Sequence, residues 1–196
     1  MNMKINTALA LAALLALASQ AGAEEAPKWR LGVNYGILSE EKIPYTKIDE
    51  GAPAGLEIAR KLGENFDLGL SYTRAEVKYE STLLPVTLGF DQHFFLLFGN
   101  FHLDGLLKGL YAGPQVGFVS RVLRKENDNI GFDSLSIGAR AGYDYFITKG
   151  LSVGAQLQFV SVGEAEKTVT DDNVKVTYTL DDTSFMTYLL SVNYRF

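Results

Sequence analysis

The sequence predicts an all-β chain closed into an antiparallel transmembrane β-barrel of about eight strands. Three observations predict it. After residue 23 no apolar run is long enough for a membrane helix, which needs about 20 residues. Segments of roughly 10 residues instead alternate apolar and polar side chains with period two. The connections between them alternate in kind, short and turn-forming at one end, long and polar at the other.

Composition agrees. Among 196 residues there are 12 Phe, 10 Tyr and 19 Gly, a mixture that disfavours helix and is too apolar for disorder. The length suits one domain. A formal net charge of −5 argues against nucleic acid as a partner. The absence of Cys removes disulfides, thiolate metal sites and thiol nucleophiles.

Residues 1–23 form a separate unit. Lys4 supplies a positive start, Ala8 to Ala18 an apolar run too short to span a bilayer, and Ala21-Gly22-Ala23 a small-residue cleavage site. We expect a secretory signal peptide cut after Ala23, leaving residues 24–196 as a single barrel domain.

The first strand places Trp29, Leu31, Val33, Tyr35 and Ile37 on one face and Arg30, Asn34 and two glycines on the other. Ala54, Leu56 and Ile58 then face away from Glu57, and Phe66, Leu68, Leu70 and Tyr72 oppose Asp67, Ser71 and Thr73. The stretch Val86–Leu103 is apolar on both faces. Val86, Leu88 and Phe90 suggest one parity, and Phe95, Leu97, Phe101 and Leu103 the other, so a bulge near Asp91 is expected. Further on, Leu110, Ala112, Pro114, Val116 and Phe118 oppose Tyr111 and Gln115. Leu135 through Ile147 alternate around Ser136, Arg140 and Asp144, and Leu151 through Phe159 around Ser152, Gln156 and Gln158. Met186 to Phe196 alternate around Thr187, Leu189, Ser191, Asn193 and Arg195.

Short turns are expected at Gly63–Asn65, Asp104–Gly109 and Thr148–Gly150. Long loops are expected at Ser39–Pro53, Leu123–Phe132 and Gly163–Thr183, and a brief link at Glu80–Leu84 after a projecting, charged Arg74–Glu80. Within the last long loop, Lys167–Thr170 and Val174–Leu180 alternate about Asp171-Asp172-Asn173 and read as a hairpin.

A soluble, lipocalin-like barrel would also alternate, with its apolar face inside. Two features favour apolar-out. The opposite face combines charges with many glycines, as a narrow interior requires. Aromatic residues cluster at strand ends: Trp29, Phe66, Tyr145, Tyr194 and Phe196 at the turn side, and Tyr72, Phe118, Phe159 and Tyr188 toward the loop side, like interfacial girdles.

The ending carries a family resemblance. Tyr188, Leu190, Val192, Tyr194 and Phe196 alternate to a terminal aromatic, and Asn193-Tyr194-Arg195-Phe196 is similar to the Gly-Tyr-Arg-Phe ending of small OmpX-like and OmpW-like barrels. The architecture also resembles the OmpA transmembrane domain. The resemblance implies short periplasmic turns, longer extracellular loops, and both ends of the mature chain on the periplasmic side. It further implies periplasmic transit, insertion by the barrel assembly machinery, and a monomer among outer-membrane lipids and lipopolysaccharide. These five residues are then the expected assembly signal.

The expected lumen network is Arg30, Asn34, Glu57, Asp67, Gln115, Arg140, Asp144, Gln156 and Arg195; of these, Glu57, Arg140, Gln115, Gln156 and Asn34 fall near a middle level, and Arg30, Asp67, Asp144 and Arg195 fall lower with Lys61. Level counting along the strands places Glu57 and Arg140 together and suggests a cross-lumen ion pair, similar in kind to the central pair of the OmpA barrel. Pairing between strand neighbours is the alternative. No catalytic site, metal or cofactor is expected. His93 and His102 are the only histidines, neither in a His-x-Ser arrangement, and we read them as girdle or lumen residues. Asp171-Asp172-Asn173 and Asp181-Asp182 lack calcium-loop spacing. Three function classes follow: a structural or surface-interaction barrel, favoured because small barrels fill their interior; a narrow channel for small or hydrophobic solutes; and, disfavoured, a lipid-modifying enzyme. No external ligand is identified.

Overall fold

A computed structural model of the chain describes residues 28–40, 46–81, 87–124, 129–171 and 174–196. The expected signal peptide lies outside the described residues, as do Val86 and Asp172-Asn173 of the readings above. The strands are β1 (Trp29–Glu40), β2 (Thr46–Glu50), β3 (Ala54–Lys61), β4 (Phe66–Ser81), β5 (Thr87–His102) and β6 (Leu110–Arg124). They continue with β7 (Asn129–Phe146), β8 (Leu151–Val162), β9 (Ala165–Asp171), β10 (Val174–Leu180) and β11 (Thr183–Arg195).

Eight of these close an antiparallel ring in the order β1, β3, β4, β5, β6, β7, β8, β11 and back to β1. The closing pair runs from Arg30 opposite Arg195 to Glu40 opposite Phe185. Closure leaves every strand of the ring paired on both sides, which a backbone in hydrocarbon requires. β9 and β10 form a separate hairpin, as the alternation about Asp171 predicts. The chain is a closed antiparallel barrel of the transmembrane type.

Near the turn end, side chains face as the alternation predicts. Tyr35, Ile37, Leu70, Phe95, Phe118, Ile137 and Leu190 are exposed on the outside, while Arg30, Asn34, Glu57, Arg140, Gln156 and Asn193 are buried within. Exposed apolar side chains forming a continuous belt are stable only in a hydrocarbon surrounding.

Farther along the same strands the facing inverts. On β4 the outward series Leu68, Leu70, Tyr72 gives way to Arg74, Glu76 and Lys78, and the inward Ser71 and Thr73 to buried Ala75 and Val77. On β5 the outward Leu97 and Phe95 are followed by His93 and Asp91, while Leu96, Phe94 and Phe90 turn inward. On β7, Ile137 and Leu135 precede outward Asp133, and Phe132 and Ile130 are buried inside. The loop end therefore has an apolar interior: Leu38, Val77, Phe94, Leu96, Val119, Val160, Val162 and Phe185 pack into one cluster. Phe90, Leu123, Ile130, Phe132 and Ala165 form a second, with Tyr178 and Leu180 of the β9–β10 hairpin packed against it. The strands emerge from lipid into water, and the hydrophobic effect reverses which face is favoured outside. The lower half is a membrane barrel and the upper half a water-soluble one.

This inversion corrects the expected bulge at Asp91. β5 holds one register against β4 from Glu80–Thr87 to Phe66–Phe101 and against β6 from Gly89–Arg124 to His102–Tyr111. Its two apolar parities serve two environments and need no extra residue. The slip lies elsewhere. Glu50 opposes Val77, but Ala54 opposes Arg74, so four steps on one chain meet three on the other. The extra residue falls at Gly51–Pro53, where Pro53 lacks a donor for the ladder. The Gly51 N–H donates to the Glu76 carbonyl (2.7 Å), and the Gly36 N–H to the Pro53 carbonyl (3.0 Å). Ser39–Pro53, expected as loop, thus contains β2, and strands β6 and β7 reach well into the expected loop Leu123–Phe132. In each case polar outward residues above the lipid belt made strand look like loop.

Candidate functional site

The turn-end half of the lumen holds a buried ionic network. Inward positions on β1, β3, β7 and β11 deliver it, because closure brings alternate residues of these strands to one axis. Glu57 is the hub. Arg140 Nη2 donates to Glu57 Oε2 at 2.8 Å, and Arg30 Nη2 lies 3.0 Å from Glu57 Oε1. Arg30 Nη1 continues to Asp144 Oδ2 (3.5 Å), which also accepts from Arg195 Nη2 (2.8 Å). Charges of alternating sign thus run Arg140, Glu57, Arg30, Asp144, Arg195. The Arg140 and Glu57 side chains are 0% and 1% exposed. At that burial each charge requires its partner, since unpaired it would stay unsolvated.

Neutral groups complete the network. Asn34 Nδ2 donates to Glu57 Oε2 (3.5 Å) and Asn193 Nδ2 to Asp144 Oδ1 (3.0 Å). Gln156 accepts from the Tyr111 hydroxyl (3.0 Å) and also from Arg140. The Arg140 guanidinium lies over Phe98, 3.9 Å from the ring centroid, a cation–π arrangement strengthened by desolvation. Glycine makes the crowding possible. A Cβ on Gly32 would stand 2.9 Å from Glu57 Cγ, and one on Gly154 only 2.5 Å from Asp144 Oδ1.

The expected site residues divide. Arg30, Asn34, Glu57, Arg140, Asp144, Gln156 and Arg195 are brought together. Asp67 is buried nearby but bonds His102 Nε2 (2.8 Å). Gln115 donates to the backbone carbonyls of Phe159 (3.2 Å) and Ala139 (3.4 Å) instead of joining the network. Lys61 is exposed at the barrel rim, because β3 ends there. Tyr111 and Asn193 are network members that the sequence reading did not select, and His102, read there only as a girdle or lumen residue, is the partner of Asp67. His102 stands diagonal to Asp67 across the β4–β5 ladder, so a register would have revealed it. His93 faces outward and shares a hydrogen bond with the Tyr72 hydroxyl (2.9 Å), a girdle position.

A different polar layer spans the loop-end core. Glu40 accepts from the hydroxyls of Tyr79 and, at 3.2 Å, Thr183. Arg121 donates to the Asp181 carbonyl (3.5 Å), the Gly163 carbonyl (3.4 Å) and Ser134 Oγ (3.4 Å). Gly163 and Asp181 flank the β9–β10 hairpin, so Arg121 fastens its base to the wall. Outside, above the lipid belt, Arg124 bonds Asp91 (2.9 Å from Nε) and Glu76 (3.0 Å), and Arg74 bonds Asp91 (3.1 Å). Partial burial would raise the Asp91 pKa, but hydrogen bonds and charge from Arg124 and Arg74 outweigh it and hold the carboxyl below the usual aspartate value. Among the described residues no group of acids and histidines is arranged to hold a metal ion.

No protein-family model matches the sequence, and no curated protein matches it. Solved structures do match in fold. Neisserial surface protein A aligns with a TM-score of 0.56 at 12% identity, over 88% of this chain and 98% of its own. The outer membrane protein OprG from Pseudomonas aeruginosa gives 0.57 at 13% identity, over 88% and 97%. Ail, the attachment invasion locus protein of Yersinia pestis, gives 0.52 at 13% identity, over 86% and 97%. The chain shares the fold of these small outer-membrane barrels.

Proposed function

We propose that the chain is an outer-membrane barrel with a sealed lumen, acting through the surface it presents outside the cell. Its turn end is periplasmic and its loop end extracellular. The observation that carries the reading is the double filling of the interior: the Glu57-centred network occupies the periplasmic half, and the Val77–Phe94–Phe185 cluster the extracellular half. A water-filled passage would have to cross both.

The outer surface supports the interaction role. β4, β5, β6 and β7 have 16, 16, 15 and 18 residues, whereas β1 and β8 have 12. A tilted strand needs about 9–11 residues to cross a membrane, so these four neighbours extend past it as one wall. The Arg74–Asp91–Arg124 group lies at the height where this wall leaves the lipid belt, level with the headgroups of lipopolysaccharide. The β9–β10 hairpin stands on the same side and presents exposed Lys167, Thr168, Lys175 and Thr177. One neighbour in fold, Ail, is named an attachment invasion locus protein. We propose a non-catalytic barrel, inserted by the barrel assembly machinery with Tyr188, Leu190, Val192, Tyr194 and Phe196 as its signal.

Planar-bilayer recording of the purified, folded barrel tests the proposal. A sealed lumen gives no steady conductance. Stable unitary currents from the wild type would overturn it in favour of the channel reading.

A further inference from the structure

Below the ionic network the periplasmic mouth opens into a cavity of about 220 Å³. Phe146 forms an apolar wall, Arg30 and Arg195 the floor, and Lys61 and Lys108 stand at the rim; Trp29 borders the mouth with its ring turned outward against Arg60 (5.5 Å). Three acids also line it, but two are already engaged: Asp67 with His102 (2.8 Å), and Asp104 with the Gly109 N–H (2.9 Å). Glu64 is the third. Arg30 and Arg195 are paired with Glu57 and Asp144 but carry further donors, and the rim lysines are less committed. Neither rim lysine makes an ion pair within the described residues. Lys108 Nζ lies over the Phe146 ring at 5.9 Å.

The floor still has donors to give. Arg30 is 2% exposed, yet its Nε lacks an acceptor among the described residues, as does Nη1 of Arg195. A buried N–H without an acceptor costs roughly 1–3 kcal/mol. A wall that combines such donors with two exposed lysines is the chemistry of an oxyanion receptor, because a guanidinium offers paired N–H groups in the spacing of phosphate or carboxylate oxygens.

We propose that this vestibule binds a small oxyanion, a phosphate or a carboxylate, from the periplasmic side. Arg195 and Arg30 engage it from the floor, and Lys61 and Lys108 close over it from the rim. The site is independent of the sealed-lumen reading, since it lies below the network and needs no passage through it.

The chain's single tryptophan, Trp29, turns its ring to the outer face against Arg60, so binding is followed by titration calorimetry. The experiment uses the folded barrel in a phosphate-free maltoside detergent and titrates sodium phosphate at constant ionic strength. The expected result is a saturable heat of binding that sodium chloride does not produce. Lys61→Gln with Lys108→Gln should weaken it roughly tenfold, whereas Lys167→Gln, on the far hairpin, should leave it unchanged. Both rim lysines are exposed, and folding of each variant is checked by heat-modifiable gel migration. Competition by acetate identifies a carboxylate as an accepted ligand. Repeating the titration in phosphatidylglycerol vesicles separates the sources: a lipid headgroup already seated in the vestibule suppresses the response, and a site for free anions retains it. A heat that does not saturate, that chloride reproduces, or that the double variant leaves intact would overturn the proposal.

Discussion

Replacing Glu57 with Gln keeps its shape and removes its charge, and the consequences can be worked from the network. Two guanidinium groups depend on this carboxylate, Arg140 at 2.8 Å and Arg30 at 3.0 Å. Arg30 retains Asp144 at 3.5 Å, whereas the Arg140 side chain, 0% exposed, retains among the described residues only Gln156 and the faces of Phe98 and Tyr111. Breaking a buried pair by removing one partner typically costs about 3–5 kcal/mol, because the surviving charge stays unsolvated. Glu57→Gln should therefore destabilise the barrel by about that amount, near the lower end given that a side-chain amide still accepts one hydrogen bond. Replacing both partners, as Glu57→Leu with Arg140→Met, should cost much less than Glu57→Gln alone, since no charge is orphaned. Urea titration of the folded barrel in lipid vesicles, read by gel migration and tryptophan emission, measures both. A loss below about 1 kcal/mol in Glu57→Gln, within the range of an exposed pair, would refute the claim that the network is dry and tightly coupled.

Other predictions follow from the facing of the strands. Leu190→Arg, at an outward lipid-belt position, should cost about 2–4 kcal/mol, whereas Ser120→Arg, outward but above the belt, should be nearly neutral in the same assay. Phe94→Ala empties a buried core position and should cost about 3–5 kcal/mol; its outward neighbour Phe95→Ala should cost less, because lipid fills the space. Deleting Phe196 should slow insertion by the assembly machinery in a reconstituted time course without abolishing the final fold, and an unchanged rate would remove it from the assembly signal. For Asp91 the folded pKa is depressed. Its contribution is complete above the ordinary aspartate range and is lost only as pH falls through the lowered folded value. Carboxyl NMR should accordingly show Arg124→Gln moving the Asp91 midpoint upward, toward the ordinary aspartate value, with no stability change at neutral pH from protonation of this group.

Much of this barrel is legible in the chain because lipid imposes a strict rule on one face. Leu31, Val33, Tyr35 and Ile37 on β1, and Leu190 and Val192 on β11, declare their side without ambiguity. β5 does not. Phe94 and Phe95, or Leu96 and Leu97, are equally apolar neighbours, one packed in a protein core and the other facing lipid. Period-two analysis assumes one environment per strand, and β5 crosses two. The ionic network was legible in part. Level counting brings Glu57 and Arg140 together, and the atoms lie 2.8 Å apart. The bridging place of Arg30, and the withdrawal of Asp67 to His102 and of Gln115 to backbone carbonyls, depend on strand tilt and on side-chain reach, which alternation does not encode. The one-residue slip at Gly51–Pro53 was hidden because its polar flanks resemble a loop.

The central claim is that the outside of the barrel passes from lipid to water along single strands while the apolar face turns inward. Because the chain contains no Cys, single nitroxide labels can be placed along β5 through Leu97→Cys, Phe95→Cys, Asp91→Cys and Gly89→Cys. Collision with dissolved oxygen, which partitions into lipid, is compared with collision with a water-soluble nickel chelate in reconstituted vesicles. Oxygen should dominate at positions 97 and 95, and nickel at 91 and 89, with the crossover between Phe95 and Asp91. Oxygen dominance at all four positions, or nickel dominance at 95 and 97, would contradict the account.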